Sequence, residues 1–480
     1  MNAAEYDVIV IGAGTVGENV ADRAAQSGMR TVVVEAELVG GECSYWACMP
    51  SKTLLRSGAL LRAAGRVGGS REAITGELDV SAVLKRRDWM TSDWTDDGGV
   101  EWLTSAGIDL VRGHAVLTAP REVTVTAADG TVTTLTATHA IAVCTGSVAM
   151  LPDLPGLRES RPWTSHDATS VKHVPTSLAV LGGGVVGVEL ATAFAGFGTR
   201  VDLIARTTLL SKEEPFAGEL VGESLEGLGA TLHLHTGVRR VERTASDTVR
   251  IELDNGDTLE ADELLVAVGR VPRTGDLGLE LVGLESGGWL ETDDTMRVIG
   301  ADGSPIEWLY AAGDVAHRVL LTHQGKYEGR IAGDAMAARA KGRTLSTEPW
   351  TTYVATADHS AVPQVTFSDP EVASVGLTAA AAEKAGHRIR VVDYDMSGLS
   401  GASIAADHYV GQARMIVDED RQVVLGATFV GADVGEILHS ATIAVVGEVP
   451  LSRLWHAVPS FPTLSEVWLR LLETYGRPTE

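Results

Sequence analysis

The sequence predicts an α/β fold in which two βαβ units are followed by a C-terminal α+β region, and three observations predict it. The chain opens with YDVIVIGAGTVGENVADRAAQSGMRTVVVE: an apolar run, a glycine turn, a helix-length segment and a second apolar run. The same order returns from Leu178 as LAVLGGGVVGVELATAFAGFGTRVDLIAR, at nearly the same lengths. From about residue 351 the character changes to strand-like stretches such as ARMIVDEDRQVVLGATFV, with helices to the end.

A chain of 480 residues exceeds what one core usually organises, so two or three domains are expected. The net charge of −25 is spread without an acidic block, which speaks for solubility and against nucleic acid or an anionic membrane as partner. The N-terminus has no basic region, and VIVIG is too short for a signal peptide or a membrane span. The expectation is a cytoplasmic protein.

In the first unit Gly12 permits the tight turn, Gly14 lets the backbone approach a pyrophosphate and Gly17 allows close helix packing. Glu35, ending the second strand, is placed to accept hydrogen bonds from a ribose diol. Residues 54 to 110 read as helical, with Trp89, Trp94 and Trp102 as core or subunit-interface anchors rather than ligand contacts. Residues 111 to 145 alternate like a small antiparallel sheet.

The second unit repeats the spacing with Gly182, Gly184 and Gly187, but its second strand ends in Ala205 and Arg206 instead of an acid. A carboxylate there repels a 2′-phosphate, whereas Arg206 can grip one bidentately with Lys212 assisting. NADPH is therefore predicted over NADH; the alternative is that Arg206 is a solvated surface residue. A β-rich stretch from about 240 to 268 precedes VGRVP, and WLYAAGD near 308 to 314 reads as a strand entering a turn.

Only Cys43, Cys48 and Cys144 are present, which is no disulfide framework. Cys43 and Cys48, in GGECSYWACMPSK, fall at a helix start beside the first dinucleotide unit, where the macrodipole favours a thiolate. As a staple, so short a ring contributes only roughly 2 kcal/mol. A metal site wants more thiolate or imidazole ligands than the neighbourhood offers, so none is expected. Redox function is the favoured reading, and Cys144 packs as a small apolar side chain.

Taken in order, the first GxGxxG, GGxCxxxxCxPSK, CTGS, the second GxGxxG, VGRVP, AAGD and a terminal PTLSE resemble the pyridine nucleotide-disulfide oxidoreductase family, which includes lipoamide dehydrogenase, glutathione reductase and mercuric reductase. The resemblance covers essentially the whole chain. It implies two Rossmann-like dinucleotide-binding domains plus a C-terminal α+β dimerisation domain: residues 1–153 and 281–350 for FAD, 154–280 for NAD(P)H and 351–480 for the interface of a homodimer. It also implies that Asp314 bonds the FAD ribityl chain, that Cys48 is the flavin-proximal sulfur with Cys43 as interchange thiol, and that Lys52 and Glu189 pair near the flavin N5. Gly146 of CTGS and Gly269 and Arg270 of VGRVP join the cofactor sites, Arg270 on the NADPH side. The implied activity is an NADPH-dependent FAD reductase passing electrons through the cysteine pair to a small-molecule acceptor.

Two departures bear on that acceptor. Where the family's disulfide reductases carry a His-Pro-Thr motif, this chain has PSFPTLSE, with Phe461 in the histidine's place and the orienting Glu466 retained. Losing a general acid typically costs about 100- to 10,000-fold, so an activated disulfide, a quinone or a metal ion suits the site better than lipoamide or glutathione disulfide. Mercury is disfavoured, since the chain ends YGRPTE rather than in a vicinal cysteine pair. His323 and His456 are candidates for a replacement acid, although a structural histidine is the commoner case. Tyr45 and Trp46, between the cysteines, either line a flat apolar pocket or pack the helix start, and Val185 stands where glutathione reductase has a tyrosine gate. Two alternatives remain open: a quinone reductase or diaphorase that bypasses the disulfide, and a flavin-bound redox sensor or complex subunit.

Overall fold

A computed structural model describes residues 4–477. The chain divides into two compact units. The first gathers the chain up to Pro50, Asp88–Ala149 and Gly269–Asp358; the second gathers Ser51–Arg87, Met150–Val268 and the chain from His359 onward. Much of the segments expected to hold NAD(P)H and to form the interface thus lies within one unit.

The first unit is built on a sheet ordered Arg297–Ile299, Pro305–Ala311, Val132–Val143, Ala4–Ile11, Thr31–Glu35 and Asp109–Arg112. Its central strand, Ala4–Ile11, runs parallel to both neighbours and buries Val8, Ile9 and Val10 completely, as a strand covered on two faces must. Strands His114–Ala119 and Glu122–Thr126 form an antiparallel meander with Val132–Val143. The small sheet expected over 111 to 145 is therefore continuous with the main one, because its last strand also pairs with Ala4–Ile11. Helix Thr15–Gln26 buries Gly17, Val20, Ala21 and Ala24, one stripe at helical spacing. Helix Thr322–Ala340 crosses it closely: a Cβ at Gly329 would lie 2.8 Å from the Val16 carbonyl oxygen.

Trp89 is 70% exposed and Trp102 39%, which excludes the core for these two and leaves the subunit-interface alternative untouched, while Trp94 turns partly inward. Trp89 lies on helix Val80–Met90 and Trp102 on the separate helix Asp97–Ser105, each off the buried face that Val83 and Leu103 mark.

In the second unit a four-stranded parallel sheet runs Thr231–Leu234, Arg200–Ala205, Ser177–Leu181 and Glu263–Val266. Helix Val185–Gly196 is buried from Gly187 to Ala195, nearly all round. A three-stranded antiparallel sheet, Val238–Arg243, Val249–Leu253 and Thr258–Ala261, completes the β-rich stretch read from the sequence. The last part of this unit is a five-stranded antiparallel sheet, Pro363–Thr366, Glu371–Gly376, Val423–Gly431, Gln412–Asp418 and Ile389–Asp395, with helices Leu438–Val446 and Val467–Tyr475 packed on it. Among the described residues no helix is long and apolar enough to cross a membrane.

Candidate active site

Each glycine turn has the geometry a bound dinucleotide needs. Gly12 has φ +100°, and a Cβ there would stand 2.5 Å from the Cys144 carbonyl oxygen; at Gly17 it would stand 1.9 Å from the Gly12 carbonyl oxygen. The corresponding distances in the second unit are 2.3 Å from Gly182 to Ala267 and 1.9 Å from Gly187 to Gly182. Gly184 instead faces open space, a Cβ at Gly14 would meet only the Gly41 Cα at 3.9 Å, and both cap their helices without a side chain, as a phosphate-binding helix start requires.

In the first unit the turn opens on a cleft of about 460 Å³, lined among others by Gly14, Glu35, Cys43, Gly146 and Asp314. Glu35 accepts the Ala13 N–H at 2.6 Å and the Glu37 N–H at 2.7 Å, which fixes its carboxylate at the cleft wall. Burial raises its pKa. An open glycine turn, an acid after the second strand and Asp314 opposite make a donor set that fits FAD. Asp314 accepts from Ser147 Oγ and lies 3.6 Å from Arg270 Nε.

Arg270, expected on the NADPH side, donates to Ser147 Oγ at 2.6 Å and pairs with Glu42 at 2.5 Å, all within the first unit. Strand Arg270–Pro272 pairs antiparallel with Ser147–Ala149, and this register brings the side chain to Ser147. Glu42 and Ser147, its two partners, themselves line the cleft.

Cys43 lies in the short helix Gly41–Tyr45 and Cys48 begins helix Cys48–Gly65, as the sequence implied. No disulfide joins Cys43 and Cys48 in this structure; Cys144 is buried, and burial pushes its thiol up to about 12. Cys48 Sγ lies 3.3 Å from Thr322 Oγ1, at the N-terminus of helix Thr322–Ala340. A hydrogen bond to Cys48 and burial hold the Cys43 thiol well above the ordinary cysteine range. Of the loop aromatics, Tyr45 is 7% exposed and packs the helix start, its ring 5.7 Å from that of Trp46; neither lines the cleft.

In the second unit Lys52 Nζ meets Glu189 Oε2 at 2.6 Å, while Glu189 Oε1 accepts the Phe367 N–H at 2.9 Å. The pair named from the resemblance is therefore formed, and the Phe367 backbone orients its carboxylate. Arg206 and Lys212 are exposed on the segment after strand Arg200–Ala205, and Leu210 N–H donates to the Gly183 carbonyl at 2.8 Å, folding that segment over the glycine turn. Gly269 has φ +149° and leads into the Arg270 strand.

Phe461 is 72% exposed. Glu466 is buried; Oε1 accepts from Arg470 at 2.6 Å, and among the described residues Oε2 has no hydrogen-bond partner. His323 and His456 are both exposed.

The sequence reading missed Thr322, Ser147 and Glu328. Glu328 Oε2 accepts the Gly313 N–H at 2.7 Å and so holds the turn that presents Asp314. Its signal was the spacing of four from Gln324 to Glu328 in HQGKYEG, which puts both on the buried face of the helix.

Residues 6–331 match the family described as Pyridine nucleotide-disulphide oxidoreductase, and residues 362–471 match its dimerisation domain. Similar curated proteins include the dihydrolipoyl dehydrogenase of Chlorobaculum tepidum, 33% identical over 97% of this chain and 96% of that protein, and the mercuric reductase of Staphylococcus aureus, 29% identical over 96% and 81%. Among solved structures the fold is that of the HOCl-induced flavoprotein disulfide reductase RclA from Escherichia coli, described as a Cu(II) complex, at TM-score 0.83 and 24% identity over 98% of this chain and 99% of that one. With both nucleotide turns, the cysteine pair and the dimerisation sheet accounted for, the chain belongs to the pyridine nucleotide-disulphide oxidoreductase family and is an FAD-dependent NAD(P)H oxidoreductase.

Proposed function

We propose that this protein is a cytoplasmic, homodimeric reductase that uses NADPH and sends electrons through Cys43 and Cys48 to a small acceptor with a good leaving group, such as an activated disulfide or a quinone. The observation that carries the reading is the placement of the thiols: Cys43 lines the cleft with Asp314, and Cys48 meets a helix N-terminus through Thr322.

Bound FAD supplies two-electron hydride chemistry. The cysteines add a second two-electron store, taking up two electrons and two protons as the S–S bond breaks and returning them as it forms. In the dithiol, Cys43 keeps its proton, while the Thr322 hydroxyl and the positive end of its helix favour negative charge on Cys48. Lys52, fixed by Glu189, supplies a cation for charge developing during hydride transfer. Arg206 and Lys212 are the proposed grip on the NADPH 2′-phosphate, over the Gly182, Gly184 and Gly187 turn. Arg270, tied to Glu42 and Ser147, is assigned instead to neutralising charge in the FAD cleft. Glu466 has no imidazole to orient, which favours acceptors that need no proton at the departing atom.

The test is an anaerobic titration with NADPH, joined to turnover on a panel of disulfides, quinones and metal ions. The wild type is expected to take up four electrons per FAD and Cys48→Ser two, with loss of turnover. Unchanged quinone turnover in Cys48→Ser establishes the diaphorase reading instead.

A further inference from the structure

Before the helix that ends at Ser105, the chain makes an unusual turn. Ser92, Asp93 and Trp94 have φ of 49°, 51° and 57°, three consecutive left-handed residues and none of them glycine. Left-handed backbone is unfavourable for an L side chain, and a run of it persists only where surrounding contacts hold it.

Those contacts converge on the loop between the cysteines. Trp94 Nε1 donates to the Tyr45 carbonyl at 3.2 Å. The buried Tyr45 hydroxyl donates to the Val39 carbonyl at 3.1 Å and to the Thr95 carbonyl at 3.2 Å. Asp96, two residues past Trp94, accepts the Val39 N–H at 2.7 Å and pairs with Arg112 at 2.5 Å. Tyr45 is thus held at its ring and at its carbonyl, midway between Cys43 and Cys48. We infer that Trp94 and Tyr45 are positioning residues: they clamp the intercysteine loop and set the reduction potential of the Cys43–Cys48 pair. This rests on the redox reading of that pair.

Reduction breaks one S–S bond and yields two thiols with the uptake of two electrons and two protons. In a free loop the thiols then separate and the dithiol gains conformational freedom. A clamped loop denies that freedom, keeps the sulfurs at high effective concentration and favours the disulfide. Releasing the clamp should therefore raise the midpoint potential.

The experiment equilibrates FAD-loaded enzyme with dithiothreitol buffers, reading the cysteines by thiol labelling and FAD by absorbance. Trp94→Phe removes the indole donor and Tyr45→Phe the hydroxyl, each keeping a ring. Each is expected to lower the effective concentration about tenfold, which is ~30 mV for a two-electron couple, with the FAD potential unmoved. Asp93→Gly relieves the left-handed strain and keeps the contacts, so it should raise the melting temperature and leave the potential alone. Trp89→Phe, outside the clamp, is the control. Wild-type potentials in both Trp94→Phe and Tyr45→Phe overturn the proposal. A wild type that takes up only two electrons per FAD overturns the redox reading beneath it.

Discussion

Glu328→Gln tests how the protein holds the turn that presents Asp314. The side chain is fully buried, one oxygen is committed to the Gly313 N–H, and among the described residues the other has no partner. Burial pushes its pKa from 4.5 to about 8 in the folded protein. A carboxyl with a raised folded pKa is protonated in the native state while the unfolded chain has already lost the proton. Between pH 4.5 and about 8 the native state therefore binds more protons, and stability falls as pH rises through that window. At ~1.36 kcal/mol per pH unit, the full span is worth roughly 5 kcal/mol as an upper bound. Glutamine keeps an acceptor for the Gly313 N–H and cannot ionise. The assay is urea unfolding of FAD-loaded protein at several pH values, read by the rise in flavin fluorescence as the cofactor leaves the first unit. Other buried carboxyls, Glu18 at about 7 among them, leave a slope in both proteins, so the difference between the two slopes reports Glu328. Parallel curves for wild type and Glu328→Gln refute the reasoning.

Arg206→Ala should cut the preference of kcat/KM for NADPH over NADH about 10- to 100-fold, the worth of a charge-assisted phosphate contact, while NADH turnover holds; an unchanged preference removes Arg206 from the site. Phe461→His restores the imidazole that the family's His-Pro-Thr motif carries and should raise turnover of unactivated disulfides by about 100-fold or more, with a new acidic limb in the pH profile. If quinone turnover rises equally in Phe461→His, the effect is not proton donation.

The fold was legible where chemistry and local geometry coincide. Gly12, Gly17, Gly182 and Gly187 sit where a Cβ cannot fit, so their spacing carried the two βαβ units directly into the structure. Cys43 and Cys48 were readable for the same reason, being a few residues apart at a helix start. Lys52 and Glu189 are far apart in sequence and became a pair only through the resemblance. What stayed hidden depends on contacts between distant segments. The contact of Arg270 with Ser147 follows from a strand register, the burial of Tyr45 from carbonyls at Val39 and Thr95, and the exposure of Trp89 from which way one helix faces. No local pattern encodes three left-handed residues at 92 to 94, because Asp93 alone suits that conformation and does so singly rather than in a run with Ser92 and Trp94.

The interleaving of the two units has a consequence for biosynthesis. The first sheet needs strand Pro305–Ala311 beside Val132–Val143, and its cleft needs Asp314, so the N-terminal half of the FAD site must wait on the ribosome for its other half. At about 5–20 residues per second, the stretch from Val143 to Asp314 takes roughly 10–30 s to synthesise. The second parallel sheet, complete at Val266, can close during that interval. The glycine turn translated first belongs to the nucleotide site finished last, and through that delay the edge of strand Val132–Val143 and the face of helix Thr15–Gln26 that Thr322–Ala340 later covers stay open to water.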